Sequence, residues 1–541
     1  MSKHTADSKS ESAPSPVSVF RKAGVVRPFG PVTLLKLGRA VAGNGLGLAG
    51  TWGAAVARFP KRVAVIDDRG SLTYRELDER SNALADSLAR EGIGEGDGVA
   101  LMARNHSGFI VAAVAVTKLG AHALLINTSF SGRQLKEVCE REGAKMMILD
   151  EEFSELVDRS GFKVPRMLAW VEGTSAPTGV DTIEHAIDRG SRSKRRAPKE
   201  MGKLVILTSG TTGTPKGAAR GAAHIDVPVG LLERVPYKSG WRVHDAAPLF
   251  HFWGLSQFLI ILLMGNTAVL TRRFEAKSFL DVLKHHECDA AIVIPVMLTR
   301  ALSLPKETLD SYDLPHLKVV AASGSSLPGE LATAWMDAFG DNLYNIYGST
   351  EVSLVSIATP EDMRAHPHTS GRPAATTTVK LLDELGKEVP AGTTGRIFAG
   401  NSMLFDGYTG GGNKEVIDGL MSTGDVGYLD DEGRLVIEGR DDEMIVSGGE
   451  NVFPKEVEDC LVNHPAVAEA ACVGVDDPEF GTRLRAFVSV YGPVSEADLK
   501  DHVKAHLARF KVPREVVFLE EIPRNATGKI LKRELAEWQE A

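Results

Sequence analysis

Cysteine is scarce in this chain: the 541 residues include 4, Cys139, Cys288, Cys460 and Cys472, with no CxxC pair. That sparsity excludes a disulfide framework and fits a reducing compartment. Cys288 stands near His285 and His286, but neighbouring histidines on a helix point in different directions, so the group reads as a solvated helix end rather than a metal site. Long apolar runs are missing too. The longest, Phe109 to Val116, has eight residues, against the roughly 20 that a membrane-spanning helix requires. The opening MSKHTADSKSESAPSP puts acids and prolines where a secretory leader carries its apolar stretch, so a cytoplasmic location is expected. Positive charge is in deficit: 62 Lys and Arg against 71 Asp and Glu give −9, which argues against a general nucleic-acid binder. What is abundant is ordinary: 43% hydrophobic and 25% charged residues describe a globular protein rather than a disordered one.

One span lacks acid altogether. From Ala13 to Ile66 the chain carries Arg21, Lys22, Arg27, Lys36, Arg39, Arg58, Lys61 and Arg62 and no Asp or Glu. Within it PVTLLKLGRAVA reads as an amphipathic helix, with Leu34, Leu37 and Val41 on one face and Leu35 at its edge. Two readings stand open: peripheral contact with an anionic membrane, or an arm packed on the following domain, which the Gly-rich NGLGLAG favours. Residues 1–47 are therefore expected to form a tail and basic arm, 48–441 a large domain and 442–541 a small one.

From about residue 50 to 350, short apolar runs ending in Gly, Ser or Thr alternate with helical patterns, as the units of a parallel α/β sheet do. KLVIL at 203–207 and LKVVAAS at 317–323 are the clearest strands. GSRSKRRAPKE at 190–200 has no periodicity and reads as a solvated connector. After residue 390, GRIFAG, GYLDDEG, GRLVIEGR and EMIVSGG predict antiparallel hairpins. The last 100 or so residues alternate helices (PKEVEDCLVNH, SEADLKDHVKAHLARF) with strands (LRAFVSV, EVVFLEE), the mark of a separate α+β domain.

The chemistry concentrates in LTSGTTGTPKGA, Leu207 to Ala218, at the end of a strand. Its glycines let backbone N–H groups approach a polyphosphate, Thr208, Ser209, Thr211, Thr212 and Thr214 offer hydroxyls, and Lys216 a charge. It is not the Walker pattern, because Lys216 lies between Pro215 and Gly217 with no Ser or Thr after it. SGSSLP (323–328), YNIYGSTE (344–351), STGDVGYLDDEG (422–433), GRDDEMIVSGGENVFPKEVE (439–458) and PRNATGKILKREL (523–535) follow in order. This ordered set resembles the adenylate-forming superfamily of acyl-CoA synthetases, adenylation domains and beetle luciferases, and is most similar to bacterial fatty acyl-CoA synthetases.

The resemblance implies a two-domain enzyme that attacks the α-phosphate of ATP with a carboxylate, with Mg²⁺ present, and passes the acyl group from AMP to the thiol of CoA. On that likeness Glu351 holds Mg²⁺ with Thr208 and Thr350 beside it, and Ser209, Gly210, Thr211, Thr212, Gly213, Thr214 and Lys216 cradle the phosphates. Tyr347 stacks on adenine, Ser325, Ser326 and Asn345 line its edge, and Gly348 and Ser349 belong to the same nucleotide-binding turn. Asp425 and Arg440 take the ribose, and Lys529 reaches the α-phosphate and the attacking carboxylate. Lys529 and the loop Ser447, Gly448, Gly449, which lines the thiol's passage, serve one site in turn as the small domain rotates about Asp442, with Asp441 as the other candidate hinge.

PLFHFWG (248–254) lacks the Asp that anchors a substrate amine in amino-acid-activating relatives. His251 stands where it could orient the carboxylate or the thiol, or serve as a buried core histidine. Phe252, Trp253 and Ile346 are expected to wall an apolar acyl pocket, and Gly348, where acetate-specific relatives carry Trp, to leave room for a longer chain. The expected reaction is therefore ligation of a medium- or long-chain fatty acid to CoA. Alternatives are an acyl-AMP ligase loading a carrier protein, an aryl-acid CoA ligase, a luciferase-like oxygenase, and a silent adenylate-binding regulator. Monomer and homo-oligomer both remain open.

Overall fold

The computed structural model describes residues 15–44, 47–173, 179–208, 216–220, 224–405, 407–409, 411–443, 445–447, 450–477, 481–525 and 528–538. Two mostly parallel sheets build a large N-terminal domain, as the alternating pattern requires. The first has nine strands, in the spatial order Arg372–Pro373, Ser353–Ala358, Leu343–Ser349, Val319–Ala322, Ala290–Val293, Arg242–Asp245, Thr267–Val269, Val63–Asp67 and Gly70–Thr73. Its pairings from 343–349 through 63–67 are all parallel, and both ends close antiparallel. The second has seven: Asp181–Thr182, Arg166–Trp170, Ala144–Asp150, Gly98–Met102, His122–Leu125, Leu204–Thr208 and Lys216–Arg220, parallel except for the last hairpin. Strands such as Ala290–Val293 and Val319–Ala322 are buried along their whole length, as strands covered on both faces must be.

The eight-residue apolar run forms the body of the helix Ser107–Lys118, which touches Val63–Asp67 of one sheet and Gly98–Met102 and His122–Leu125 of the other. A helix apolar on every side belongs in such a position. The expected hairpins form a five-stranded antiparallel sheet of Thr378–Leu382, Gly395–Gly400, Leu420–Leu429, Val416–Ile417 and Leu435–Arg440. A 3₁₀ turn, Asp441–Glu443, carries the chain into the small C-terminal domain. There Ile445–Ser447, Glu450–Val452, Val467–Asp477, Gly481–Val490 and Glu515–Phe518 form a mixed sheet. The helices Pro454–Val462 and Glu496–His506 bury Val457, Cys460, Leu461, Leu499 and Val503 in that domain's core.

Residues 15–58 form three helices, Pro16–Lys22, Pro31–Asn44 and Leu48–Arg58, and the arm packs on the large domain. Arg58 donates to the carbonyls of Val25 (2.8 Å) and Leu263 (2.6 Å), and Lys238 to that of Lys22 (2.9 Å). The facing of helix 31–44 differs from expectation. Thr33, Leu37 and Ala40 turn inward, because Gly53 lets Ala40 approach so closely that a Cβ at Gly53 would lie 3.2 Å from it. Leu34 and Leu35 turn outward, and the side chain of Val41 lies outside the described residues. The segment at 190–200 is the expected exposed connector without helix or strand, and it is anchored: Ser191 N–H and Arg195 both donate to Asp86, at 3.0 and 2.7 Å, stapling it to the helix Tyr74–Arg90. Cys288, just past the helix Ala276–His285, is buried rather than solvated, with its thiol 3.8 Å from the Val282 carbonyl.

Candidate active site

A cleft of about 1900 Å³ lies between the two domains, and the ends of parallel strands open into it. Ser323 to Ser326 follow the strand Val319–Ala322, and Asn345 to Glu351 run off the end of Leu343–Ser349. Lys216, His251, Ser325, Ser326, Asn345, Ile346, Tyr347, Gly348, Ser349, Thr350, Glu351, Asp425, Arg440 and Lys529 all line it. The fold thus gathers residues that the sequence spreads over more than 300 positions. Ser209, Gly210, Thr211, Thr212, Gly213 and Thr214 lie outside the described residues, as do Gly448, Gly449 and the side chains of Thr208, Asp442 and Ser447.

Asp425 and Arg440 are direct cross-strand partners on adjacent antiparallel strands. Arg440 Nη1 donates to Asp425 Oδ1 at 3.3 Å, and Tyr347 Oη donates to Oδ2 at 2.5 Å. Burial pushes the Asp425 carboxyl above its ordinary range, while Arg440 and the Tyr347 hydroxyl pull it back. Burial and the Asp425 charge push the Tyr347 phenol well above its own. Gly424 makes room for this cluster: at φ +79° its missing Cβ would sit 3.1 Å from Arg440 and 3.2 Å from Lys414 Nζ.

Glu351 is aimed by two hydroxyls. Ser349 Oγ donates to Oε2 at 2.9 Å and Tyr408 Oη to Oε1 at 2.9 Å. Lys216 Nζ lies 5.0 Å from the centre of the Tyr408 ring, so one aromatic side chain joins Lys216 to the Glu351 carboxylate. Tyr408 was invisible to sequence reasoning. Its one signal is an aromatic residue in the Gly-rich run DGYTGGGNK, and only the Ala218–Tyr408 bridge brings it beside Lys216.

Lys529 reaches the cleft from the small domain on a tight turn, in which Asn525 N–H donates to the Lys529 carbonyl and Lys529 N–H to Asn525 Oδ1. Gly528 seats the turn on the large domain, since a Cβ there would lie 2.8 Å from Val296. His251 stands at the N-cap position of the helix Phe252–Met264 without a side-chain capping bond. Its Nε2 is buried with no hydrogen-bond partner among the described residues, and burial together with the Lys529 charge lowers its pKa to about 3. His251 is therefore a neutral imidazole with an unused ring nitrogen in the cleft. Asn345 Nδ2 donates to the Thr369 carbonyl at 3.5 Å, Ser325 is half-buried and Ser326 exposed.

Gly348 does not have the role expected of it. A Cβ built there would meet the carbonyl oxygen of Ser353 at 1.9 Å, inside the strand pair 343–349 and 353–358, where a bulge follows Tyr347. The missing side chain makes room for backbone rather than for substrate. Asp441 accepts from Arg396 Nε at 3.1 Å, which ties it to the antiparallel sheet of the large domain.

A cluster of apolar side chains from several elements gives part of this cleft the lining of an apolar channel. Phe252, Leu255, Leu259, Ile260 and Leu263 of helix 252–264 form one wall, and Trp253, fixed by its Nε1 bond to the Val293 carbonyl (2.9 Å), closes another side. Val227 and Leu231 of the helix Asp226–Arg234, and Leu204 and Ile206, face them. Phe20 of the arm and Leu48 and Thr51 of the helix Leu48–Arg58 line it as well. None of the described residues that these helices and the strand Leu204–Thr208 contribute to the channel is charged.

Residues 52–409 match the AMP-binding enzyme model, and residues 456–529 match the AMP-binding enzyme C-terminal domain. The chain belongs to the AMP-binding enzyme family. It is 30% identical over 485 residues to a 2-succinylbenzoate–CoA ligase of Bacillus licheniformis, covering 88% of this chain and 97% of that one. It is 29% identical over 495 residues to a fatty acid–[acyl-carrier-protein] ligase of Streptomyces coeruleorubidus, covering 88% and 93%. Among solved structures, an anthranilate CoA ligase in complex with anthranoyl-AMP superposes with a TM-score of 0.81 at 25% identity, over 91% of this chain and 96% of that one. The AMP-binding enzyme family and the two-domain α/β architecture are those implied by the motifs.

Proposed function

We propose that this AMP-binding enzyme ligates a carboxylic acid with an apolar, uncharged tail to CoA through an acyl-AMP, consuming ATP. The observation that carries the reading is the convergence of Lys216, Glu351, Asp425, Arg440 and Lys529 at the mouth of an apolar channel. Carboxylate and triphosphate repel one another, so cations at the point of attack supply most of what a protein can add. Lys529 enters the cleft from the small domain and Lys216 from the large one. Asp425 offers acceptor oxygens to the ribose hydroxyls and the Tyr347 ring a face to the adenine. The hard oxygens of Glu351, oriented by Ser349 and Tyr408, suit Mg²⁺, with Thr350 alongside. Bound there, the ion would neutralise phosphate charge.

His251, neutral, would accept a hydrogen bond at Nε2 or give one after a tautomer change, holding the carboxyl at the channel mouth. The thioester half-reaction would follow rotation of the small domain, which withdraws Lys529 and presents the Ser447, Gly448, Gly449 loop. Since Asp441 is tied to Arg396, Asp442 is the better pivot.

A fatty acid remains our primary substrate reading, because the apolar part of the cleft draws on helix 252–264, on Phe20 of the arm and on Leu48, and these elements contribute no described charge for a second carboxylate. An aryl acid is the second reading, favoured by relatives named for succinylbenzoate and anthranilate. CoA is the proposed acceptor; the carrier-protein ligase among the relatives keeps an acyl-carrier protein as the other. The test is kcat/KM over straight-chain acids, benzoate, indoleacetate and 2-succinylbenzoate with CoA, and with a carrier protein in its place. A preference for a ring-bearing acid over every straight-chain acid overturns the primary reading, and transfer to the carrier alone overturns the acceptor. Light emission dependent on O₂ would mark an oxygenase, and absence of turnover a regulator.

We further propose that the arm meets an anionic bilayer from which the acid enters. Of the twelve large hydrophobic residues exposed among the described residues, Val17, Val26, Val32, Leu34 and Leu35 belong to the arm, so apolar surface is concentrated there. Lys36, Arg39, Lys194, Arg195 and Arg196 border an adjoining groove of about 360 Å³. Full-length protein should sediment with vesicles containing phosphatidylglycerol at low salt, and Leu34→Glu with Leu35→Glu should release it. Sedimentation unaffected by the substitutions overturns the proposal.

A further inference from the structure

The small domain carries a second cluster of chemistry, none of whose three residues lines the cleft. Helices 454–462 and 496–506 pack against each other. Cys460 lies on the first and is buried, and His502 and His506, one turn apart, lie on the second. One ligand-capable atom from each of Cys460, His502 and His506 lies within 4.8 Å of those from the other two. Such a distance is closed to a tetrahedral first shell by small side-chain rotations.

The backbone already fixes how two of the three would present themselves. His502 Nε2 lies 3.0 Å from the Cys460 carbonyl, and His506 Nδ1 lies 2.8 Å from the His502 carbonyl. A carbonyl only accepts, so each of these nitrogens carries the proton. That leaves the lone pair on Nδ1 of His502 and on Nε2 of His506. Anchoring one ring nitrogen on a carbonyl while the other binds metal is the arrangement that fixes a histidine ligand's tautomer and direction. His464 differs. Its ring lies 5.2 Å from that of His502, but its Nδ1 accepts from Ala466 N–H, so in the neutral ring the proton sits on Nε2 and no lone pair is left to bind.

We propose that Cys460 Sγ, His502 Nδ1 and His506 Nε2 form a zinc site, completed by water. A thiolate with two imidazoles is a donor set that suits Zn²⁺ and excludes Mg²⁺, so the site does not compete for the ion proposed at Glu351. Binding replaces the thiol proton by metal, and the proton leaves to solvent. The ion would clip helix 454–462 to helix 496–506, and helix 454–462 carries Lys455, Glu456 and Asp459 on the wall of the cleft.

The test is titration of full-length, chelator-treated protein with Co²⁺, followed by displacement with Zn²⁺. The expected result is one equivalent bound, with the near-ultraviolet thiolate-to-cobalt charge-transfer band and the intense visible bands of a tetrahedral ion. Cys460→Ser should abolish the charge-transfer band. His506→Gln, at an exposed helix end where folding is not at stake, should weaken binding by about 10- to 100-fold or more. His464→Gln should leave both unchanged. Cobalt bound without the thiolate band, a band that survives Cys460→Ser, or affinity indifferent to His506→Gln overturns the assignment.

Discussion

Adding one methyl group at Gly348 should disable the site by moving backbone. In Gly348→Ala the new Cβ would lie 1.9 Å from the Ser353 carbonyl oxygen, where ordinary contact begins at 3.4 Å, so one strand must yield 3.4 − 1.9 = 1.5 Å. Ser353 has little freedom to give way, being buried and already at φ +61°. The pairs Gly348–Leu354 and Ser349–Ser353 would part. Losing two backbone hydrogen bonds costs about 1 kcal/mol each, and overpacking adds about 1–3 kcal/mol, for a total near 3–5 kcal/mol. Tyr347 and Glu351 flank the displaced residue, and a shift of about 1 Å in a positioning group costs on the order of a hundredfold in rate. Thermal unfolding and acid-dependent pyrophosphate exchange, assayed at a temperature where the variant stays folded, measure the two effects separately. We expect a lower melting temperature, exchange reduced about a hundredfold, and an unchanged ranking of acids. A Gly348→Trp protein that folds normally and turns toward short acids would refute the reasoning, because it would mean that the position faces the substrate.

Leu259→Trp, which fills the channel from helix 252–264, should instead shorten the preferred chain; since each buried CH₂ contributes about 0.8 kcal/mol, kcat/KM should lose about fourfold for each carbon that no longer fits, measured over a series of acids. Lys529→Ala should abolish acyl-AMP formation yet leave conversion of supplied acyl-AMP to thioester largely intact, and equal loss in both half-reactions would falsify the assignment. His251 has a folded pKa of about 3, below the ordinary 6.5, so the unfolded chain takes up the proton first. Its contribution is full above pH 6.5 and declines as pH falls toward 3, by at most about 1.4 kcal/mol per pH unit, and urea titrations across that range should show a shallower decline in His251→Gln.

The architecture was legible because its signals are local. Alternating apolar runs foretold the parallel sheets, and KLVIL and LKVVAAS fall on the strands Leu204–Thr208 and Val319–Ala322. Ordered motifs foretold which residues would share a cleft, and Lys216, Glu351, Asp425, Arg440 and Lys529 do. Less legible was anything that depends on which way a residue faces. Gly348 reads the same whether its absent Cβ would point at substrate or at the Ser353 carbonyl. Helix 31–44 turned Leu34 outward and Leu37 inward because its seat on Gly53 selects Ala40, a contact with another helix that periodicity within the segment does not encode. Tyr408 and the far walls of the channel come from distant segments, and only tertiary packing assembles them.

The central claim, that a carboxylate of the substrate attacks the α-phosphorus, is tested most directly by isotope transfer. An acid carrying ¹⁸O in both carboxyl oxygens, with ATP, Mg²⁺ and CoA, should yield thioester, unlabelled pyrophosphate and AMP that has gained one ¹⁸O, because the carboxyl oxygen joined to phosphorus leaves with AMP. Unlabelled AMP, or ADP and phosphate in place of AMP and pyrophosphate, would contradict it.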